Sequence, residues 1–296
     1  MSEDMTLANI IKGTTRVCGL IGNPVEHTLS PLIHNSLAAI CGHDLIYVPF
    51  RVESGRVTEA VRGAFELNIL GMNVTVPHKV EVMEALCGID DVAGAIGAVN
   101  TLVRTKEGFK GYNTDVYGLD RALMSEGIDL KGRTVVLLGA GGAARACAFL
   151  CAMKRAGKVY ILNRSVDKAV NLADDVNKYA GHDLCSAHTL EEYRAVTEND
   201  VIALQASSVG LFPDHDRAVI ENEEFYRHVG FGFDLVYKPA ETGFMKMVKN
   251  AGGKASNGLK MLLFQGVEAY ARWNDAEIDD EMASAVYSRL AEAVRS

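Results

Sequence analysis

The sequence predicts an α/β protein of two domains, each built around a mainly parallel sheet. Two observations support this fold class. Short apolar runs alternate with amphipathic runs of helical spacing in the first third of the chain, and the same alternation restarts at Thr134. Such strand–helix–strand alternation is typical of parallel sheets. The chain has 296 residues, 48% of them hydrophobic, which is enough for one large or two medium domains with hydrophobic cores.

The first domain begins with three predicted strands that are separated by helices. Apolar runs predict strands over 16–22, 44–50 and 71–76, and helical spacing predicts helices over 31–41 and 55–67. Ser30 followed by Pro31 predicts the start of the first helix. There the serine side chain would cap the helix, and the proline would lose nothing by its missing N–H.

The second domain begins with a strand over 134–138, which runs into a glycine-rich turn, a helix and a second strand over 159–162. Further strands are predicted over 200–205 and 231–237. The domain boundary is predicted within 111–133, where a helix carries the chain into the second domain. A long amphipathic helix is predicted over 256–273, and the pattern alone does not determine its role.

The glycine-rich turn has the spacing of a dinucleotide-binding site, because Gly139, Gly141 and Ala144 match G-x-G-x-x-A between a strand and a helix. The first glycine makes the tight turn, the second lets a pyrophosphate approach the backbone, and the small third residue allows close helix–strand packing. The phosphate then lies at the positive end of the helix. The pattern predicts a Rossmann-like domain, the alternative being a purely structural turn. The predicted phosphate-binding residues are Gly139, Ala140, Gly141, Gly142 and Ala143.

The end of the second strand of this domain indicates which dinucleotide binds. An NAD site commonly has an acidic residue there, which accepts a hydrogen bond from the ribose 2′-hydroxyl. This chain has Asn163, Arg164 and Ser165 instead, followed by Lys168. An amide, a guanidinium and an ammonium suit a 2′-phosphate, so NADP is the predicted cofactor. The alternative is a solvated basic helix start, which the helix dipole disfavours.

Charge and composition argue against several other classes of function. The net charge is −8 with a pI near 5.5, and no lysine–arginine run occurs, so neither nucleic acid nor an anionic membrane is an expected partner. The sequence contains no run of about 18 apolar residues, which is the length needed to span a bilayer. The opening MSEDMTLANI lacks the basic start and apolar run of a secretory signal.

Cysteine and histidine usage points to a cytoplasmic enzyme without a metal. The six cysteines include no C-x-x-C pair, so we expect reduced thiols and a cytoplasmic location. Cys147 and Cys151 are one helical turn apart and should pack on one helix face. The eight histidines show no metal-ligand spacing, so no metal is predicted.

Seven short motifs occur along the chain in the order GNPVEHTLSPLIH, NVTVPHK, GAVNTLV, GYNTD, GAGGAAR, NRS and GLKMLLFQG. Together they resemble the shikimate dehydrogenase family, including its quinate/shikimate branch, and the resemblance runs from about Gly19 to Trp273. It implies a substrate-binding catalytic domain formed by 1–114 and 258–296, with an NADP-binding domain over 115–257. It also implies that the C-terminal helix returns to the first domain.

The resemblance further implies that Lys79 and Asp115 form a catalytic pair. Transfer of a hydride to a ring ketone builds negative charge on oxygen, which a lysine ammonium can stabilise and protonate. A carboxylate would orient that ammonium and offset its desolvation. The implied reaction is the reversible NADP-dependent reduction of 3-dehydroshikimate to shikimate, or alternatively quinate/shikimate oxidation with NAD or both cofactors. Taken singly, Lys79 could be an exposed helix-start lysine and Asp115 an acid favoured by the helix dipole.

Further positions match substrate and cofactor contacts of the family. The carboxylate-binding turn would be Thr28 and Ser30, where Thr28 replaces the usual serine and Ser30 could instead only cap its helix. Asn73, Thr75, Asn100, Tyr237 and Gln265 would contact the ring or carboxylate, and Ser207, Gly210 and Met261 would lie beside the cofactor. The sequence leaves open whether the protein is a monomer or a homodimer.

Overall fold

The computed structural model describes residues 11–211 and 216–295. Contacts divide the chain into a first unit, Met1–Thr114 with Gln265–Leu290, and a second unit, Asp115–Phe264 with Ala291–Ser296. Within the described ranges each unit contains one six-stranded sheet with helices around it. The predicted α/β class is therefore confirmed. The first ten residues, on which the prediction of a missing secretory signal depends, lie outside the described ranges.

The sheet of the first unit is mixed. Its strands are β1 (Arg16–Gly22), β2 (Leu45–Arg51), β3 (Gly71–Val74), β4 (Gly88–Ile89), β5 (Thr101–Arg104) and β6 (Phe109–Tyr112). They are ordered β2-β1-β3-β5-β6-β4. β2 and β3 both pair with β1 in parallel, while β5 pairs antiparallel with both β3 and β6. The β5–β6 hairpin was not predicted, because its strands are four residues each and too short for a clear period.

The helices of the first unit cover its sheet through narrow apolar faces. They include α1 (Ser30–Cys41), α2 (Val57–Glu66) and α3 (Asp91–Ile96). On α2, the residues Val57, Val61 and Ala64 recur at helical spacing and are buried. They join a core cluster with Met72, Val74 and Leu102 of the sheet, so one apolar stripe holds the helix in place.

The sheet of the second unit is parallel throughout. Its strands are β7 (Thr134–Leu138), β8 (Lys158–Leu162), β9 (Cys185–His188), β10 (Val201–Gln205), β11 (Val229–Asp234) and β12 (Lys254–Asn257). Their order is β12-β11-β10-β7-β8-β9. From the other edge this is 3-2-1-4-5-6, the strand order of the doubly wound dinucleotide-binding fold. All strands keep one direction, but the order in which the chain adds strands across the sheet reverses between β7 and β10.

The helices of the second unit follow its strands in alternation. They are α4 (Asp115–Ser125), α5 (Gly142–Met153), α6 (Val166–Ala180), α7 (Glu223–Tyr226) and α8 (Gly243–Asn250). Cys147 and Cys151 are both fully buried on α5, as their one-turn spacing predicted. Helix α5 contains many small residues, among them Ala144, which is fully buried. Its short side chain allows the helix to pack closely against the sheet.

Two helices end the chain. α9 (Leu259–Asn274) begins in the second unit and belongs to the first from Gln265 onward, so the predicted return of the C-terminal helix is confirmed. Its Trp273 packs over Gly71, where an added Cβ would lie 2.2 Å from the indole, and its Nε1 donates to the carbonyl of Leu102 at 2.9 Å. α10 (Asp280–Arg295) was not predicted, although Asp279 accepts from the N–H of Met282 as a helix start does.

Two strands end earlier than predicted, and both end at a turn that carries predicted site residues. β3 stops at Val74 because the N–H of His78 turns back to the carbonyl of Thr75 at 2.9 Å and Pro77 has no N–H to continue the ladder. β11 stops at Asp234 because its carboxylate accepts the N–H of Val236 at 2.9 Å. In each case a local hydrogen bond replaces the next rung of the sheet.

Candidate active site

Most predicted substrate residues of the first unit lie at the carboxyl ends of β1 and β3. The chain leaves β1 towards β2 on one side of the sheet, while β3 lies on the other side. Such a reversal opens a crevice at the strand ends, which is where α/β proteins bind ligands. The loops that follow β1 and β3 are tied together, since the N–H of Asn23 donates to the carbonyl of Val76 at 3.1 Å.

The turn after β1 brings Thr28 and Ser30 together. The Thr28 hydroxyl donates to Ser30 Oγ at 3.1 Å, and Thr28 Oγ1 also accepts the Ser30 N–H at 3.2 Å. Ser30 is the first residue of α1 rather than its cap, which is Leu29 and carries no side-chain hydrogen bond. The prediction that Ser30 caps the helix is therefore wrong. Its hydroxyl is engaged by Thr28, so it faces the turn and not the helix backbone.

A buried polar network extends from β3 to the start of α4. Asn73 on β3 is only 4% exposed, and its amide nitrogen donates to Thr101 Oγ1 at 3.1 Å and to the carbonyl of Asn100 at 3.3 Å. Asn100 Oδ1 accepts from the Thr101 hydroxyl at 3.0 Å and from the N–H of Thr114 at 2.7 Å. The structure thus brings the predicted residues Asn73 and Asn100 together. It adds Thr101 and Thr114, which sequence reasoning missed.

Lys79 and Asp115 are each connected to residues beside this network through the backbone. The carbonyl of Lys79 accepts the N–H of Val99 at 2.8 Å, next to Asn100, and the Lys79 side chain is half-buried. Asp115 begins α4 immediately after Thr114 and is also half-buried. The Lys79 backbone is therefore bonded to Val99, and the backbone N–H of Thr114, the residue before Asp115, is bonded to the Asn100 side chain.

The remaining predicted substrate residues lie on separate elements. Thr75 follows β3 and its N–H donates to the carbonyl of Ile21 at 2.9 Å, which fixes it at the strand end. Gln265 is half-buried on α9 in the part that belongs to the first unit. Tyr237 belongs to the second unit, follows β11, and burial raises the pKa of its phenol. The first two can serve a ligand of the first sheet, and Tyr237 lies at the strand ends of the second sheet.

The glycine turn of the second unit has the geometry that a pyrophosphate requires. Gly139 has φ of +122°, and an added Cβ would lie 3.0 Å from the carbonyl oxygen of Ala206. Gly141 and Gly142 are exposed, and an added Cβ at either would meet no described atom within 4 Å. α5 begins at Gly142, so the open space lies at the positive end of the helix. These residues therefore fit a dinucleotide phosphate.

The predicted 2′-phosphate residues follow β8. Asn163 is held by its N–H, which donates to the carbonyl of His188 at 3.1 Å, and by its amide, which donates to the carbonyl of Ser165 at 2.9 Å. Arg164 and Lys168 are exposed at the start of α6. A fixed amide with two exposed cations around it suits a dianionic phosphate.

The loops after β10 and β11 are joined by a second buried network that was not predicted. Gln205 donates from Nε2 to the carbonyl of Val209 at 2.8 Å and to Asp234 Oδ1 at 3.3 Å, and its Oε1 accepts the N–H of Ser207 at 2.7 Å. Asp234 Oδ2 accepts from the hydroxyl of Thr242 at 2.5 Å. Burial raises the pKa of Asp234 to about 6, and these hydrogen bonds oppose the shift. The sequence signal was an acid within the apolar run FGFDLVY.

The other residues predicted beside the cofactor are placed in the same unit. Ser207 is half-buried in the loop after β10, next to Gly139 at the reversal of strand order. Gly210 is buried in that loop with φ of +98°, and Met261 is half-buried one turn before Gln265 on α9. Within the described residues, no cluster of three or more His, Cys, Asp or Glu could hold a metal ion.

Comparison with known families and structures gives consistent matches over nearly the whole chain. Residues 20–102 match the family model described as shikimate dehydrogenase substrate binding domain, and 121–224 match the model for shikimate / quinate 5-dehydrogenase. A relative from Methanobrevibacter smithii, named shikimate dehydrogenase (NADP(+)), is 38% identical over 89% of this chain and 93% of its own. Among the residues 11–211 and 216–295, no helix has the length and apolar character needed to cross a membrane.

Solved structures agree with these matches. A crystal structure of shikimate dehydrogenase in complex with NADP+ is 36% identical, with a TM-score of 0.86 over 95% of this chain and 97% of that one. The shikimate 5-dehydrogenase of Thermus thermophilus, in complex with NADP(H) and shikimate, is 30% identical, with a TM-score of 0.81 over 93% and 99%. The similarity therefore covers both units.

Proposed function

We propose that this chain, which belongs to the shikimate dehydrogenase family, is the NADP-dependent oxidoreductase that reversibly reduces 3-dehydroshikimate to shikimate. The observation that carries the proposal is the buried polar network around Asn73 and Asn100, next to which the Lys79 carbonyl accepts the N–H of Val99. A small polyhydroxylated acid needs such oriented amide and hydroxyl groups. An apolar pocket would not recognise it.

The two units then have separate tasks. The first unit, with the helix segment from Gln265, is the substrate-binding domain, and the second is the NADP-binding domain. NADP, when bound, supplies or accepts the hydride. Its pyrophosphate would be held by the turn from Gly139 to Ala143, and its 2′-phosphate by Asn163, Arg164, Ser165 and Lys168. The exposed glycines and the exposed cations at two helix starts support this assignment.

Lys79 is assigned as the proton donor in ketone reduction. As negative charge develops on the ring oxygen, its ammonium stabilises that charge and then protonates the oxygen; in the reverse direction the neutral amine accepts the proton. Asp115 keeps the ammonium oriented and offsets the cost of desolvating it. Its place next to Thr114, which is bound to Asn100, supports the pairing.

The substrate carboxylate is assigned to Thr28 and Ser30, whose hydroxyls already share a hydrogen bond. The ring hydroxyls are assigned to amide and hydroxyl groups on several elements, with Tyr237 near the reacting ring. These ring contacts are Asn73, Thr75, Asn100, Tyr237 and Gln265. Ser207, Gly210 and Met261 complete the nicotinamide end of the cofactor site.

Quinate is a second candidate substrate, with NAD or both cofactors in place of NADP. The matching family model is described as shikimate / quinate 5-dehydrogenase, and the resemblance of the GNPVEHTLSPLIH motif to the family implies that Thr28 replaces a serine. Quinate carries an additional hydroxyl on the carbon that bears the carboxylate, so a change in the carboxylate-binding turn could favour either acid. We also propose a cytoplasmic enzyme that is a monomer or a homodimer.

The deciding experiment measures initial rates with shikimate and quinate, each with NADP and with NAD. Shikimate with NADP should give the highest kcat/KM of the four combinations. A higher value for quinate with NAD would replace the proposal with the second candidate. Cofactor binding without turnover of either acid would contradict both.

A further inference from the structure

Tyr47 lies behind the substrate-binding residues and has no role in the assignments above. It is on β2, the edge strand of the first sheet, and is 1% exposed. Its hydroxyl donates to Asn73 Oδ1 at 2.8 Å. We propose that Tyr47, together with Thr101, is a positioning residue that holds the Asn73 side-chain amide in a single orientation towards the substrate. This inference rests on the proposed function.

The orientation of the Asn73 amide follows from its neighbours. The carbonyl oxygen of Asn100 can only accept hydrogen bonds, and it lies 3.3 Å from one end of the amide, so that end must be the nitrogen. The oxygen therefore faces Tyr47, which must donate. An amide oxygen accepts two hydrogen bonds, and Tyr47 uses one of these two sites. We infer that the other site accepts a hydrogen bond from a ring hydroxyl of the substrate. That site lies beside the buried His34 ring, whose interaction with Asn73 partly opposes the lowering of the His34 pKa by burial.

Three separate contacts hold Tyr47 itself in place. The Asn35 side chain binds both backbone groups of Tyr47, accepting its N–H at 2.8 Å and donating to its carbonyl at 3.1 Å. The ring of His34 stacks on the phenol with centroids 4.2 Å apart, and the centroid of the Trp273 indole lies 6.0 Å from that of the phenol at an interplanar angle of 29°. The phenol thus has little freedom to turn, so its hydroxyl is a fixed donor.

Tyr47 also connects the two parts of the substrate site. Burial raises the pKa of Tyr47 well above its usual value, and a hydrogen bond with the Ser30 side chain partly offsets this. Ser30 in turn accepts from the Thr28 hydroxyl. A row of hydroxyl groups therefore runs from the carboxylate-binding turn to Asn73. The orientation of the Asn73 amide is therefore linked, through Tyr47, to Thr28 and Ser30, which are assigned to the substrate carboxylate.

Thr101 holds the opposite end of the amide. It is fully buried, accepts from Asn73 Nδ2 at 3.1 Å and donates to Asn100 Oδ1 at 3.0 Å. Loss of either partner would let the Asn73 amide rotate or leave one buried polar group unsatisfied. Since the substrate is bound in both the ground state and the transition state by the same amide, the loss should raise KM more than it lowers kcat.

The test is a double-mutant cycle on kcat/KM for shikimate with NADP, using Tyr47→Phe and Asn73→Ala. Tyr47→Phe alone should raise KM by about 5–20-fold with kcat within about 2-fold, the scale of one lost hydrogen bond. In the Asn73→Ala background the same change should alter kcat/KM by less than about 2-fold, because the group it positions is absent.

Tyr226→Phe is the matched control. Tyr226 is also 1% exposed and its hydroxyl donates to a backbone carbonyl, that of Ile220 at 2.5 Å, but it lies in the second unit. It should lower the melting temperature to a similar extent while leaving KM for shikimate within about 2-fold.

Equal losses of kcat/KM in both backgrounds, or an unchanged KM in Tyr47→Phe, would overturn the inference. If Tyr47→Phe does not fold, Thr101→Val is judged by the same cycle and the same limits. A wild-type protein that does not oxidise shikimate would overturn the proposed function instead. The two failures are therefore distinguishable.

Discussion

The two units each contain a buried polar network beneath the carboxyl ends of their strands, and the two networks differ in charge. In the first unit, Tyr47, Asn73 and Thr101 are linked only by hydroxyl and amide groups. In the second unit, Gln205 and Thr242 are linked through the carboxylate of Asp234. Both networks join loops that carry predicted site residues, but only the second is built on a group that ionises in the ordinary pH range.

Burial explains why the first network stays neutral. It lowers the pKa of His34 to about 3, with the Asn73 amide partly opposing, and it raises the pKa of Tyr47 well above its usual value. Both rings are therefore uncharged from mildly acidic to alkaline pH. The comparison teaches that the geometry around Asn73 should be constant across pH, whereas the geometry of the second unit's loops depends on the protonation of Asp234.

The largest expected effect tests whether proton transfer belongs to the first unit at all. Lys79→Ala removes the assigned proton donor and should lower kcat by about 10²–10⁴-fold, the range of a lost general acid, with KM changed by less than about 3-fold. Steady-state kinetics with shikimate and NADP measures both. Lys106→Ala, an exposed lysine in the β5–β6 hairpin, is the control and should behave as wild type. Near-normal turnover in Lys79→Ala would exclude Lys79 from the mechanism.

The second prediction concerns the carboxylate that sets the networks apart. The pKa of Asp234 is raised from an ordinary 3.8 to about 6. Between pH 3.8 and pH 6 the folded protein therefore keeps a proton on Asp234 that the unfolded chain has released. Stability from this group is therefore present at pH 4 and is lost as pH rises to about 6. Relative to Asp234→Asn, the wild-type unfolding free energy should fall by roughly 2.5 kcal/mol between pH 4 and pH 7.

Urea unfolding of both proteins across this pH range measures that difference, and effects of other titrating groups cancel in it. Tyr47→Phe provides the matched comparison for the neutral network. Its stability difference from wild type should be independent of pH from 4 to 7. A parallel pH dependence for wild type and Asp234→Asn would show that Asp234 does not titrate there.

The third prediction tests the surface charges of the second unit. Changing both Arg164 and Lys168 to alanine should raise KM for NADP by about 10–50-fold through lost charge-assisted hydrogen bonds, and KM for NAD by less than about 3-fold. Lys178→Ala, an exposed lysine at the other end of α6, controls for a general loss of positive charge. Equal effects on both cofactors would place the 2′-phosphate elsewhere.

The smallest expected effect belongs to the carboxylate-binding turn. Thr28→Ser removes one methyl group and leaves the hydroxyl that bonds Ser30. The additional space should raise the ratio of kcat/KM for quinate over shikimate by about 2–5-fold, within the range of one methyl group. The same substitution at exposed Thr105 should leave the ratio unchanged. A lower ratio would mean that the methyl group favours quinate.

Local patterns predicted those parts of the fold whose causes are local. The glycine turn follows from neighbouring residues, because the positive φ of Gly139 and the start of α5 lie within one short motif. The networks could not be predicted in this way. Tyr47 and Asn73 are 26 residues apart, and a lone strand tyrosine reads as ordinary core. The Ser30 cap failed for the same reason, since contacts of its hydroxyl with Thr28 and Tyr47 depend on tertiary structure.

Trp273 makes the first unit separately observable. It is the single tryptophan of the sequence, and its indole is buried against Gly71 with its N–H bound to Leu102. Its fluorescence emission therefore reports the solvation of that unit alone, whereas circular dichroism reports the helices of both. Recording the two signals on one denaturation curve shows directly whether the two units melt together or one after the other.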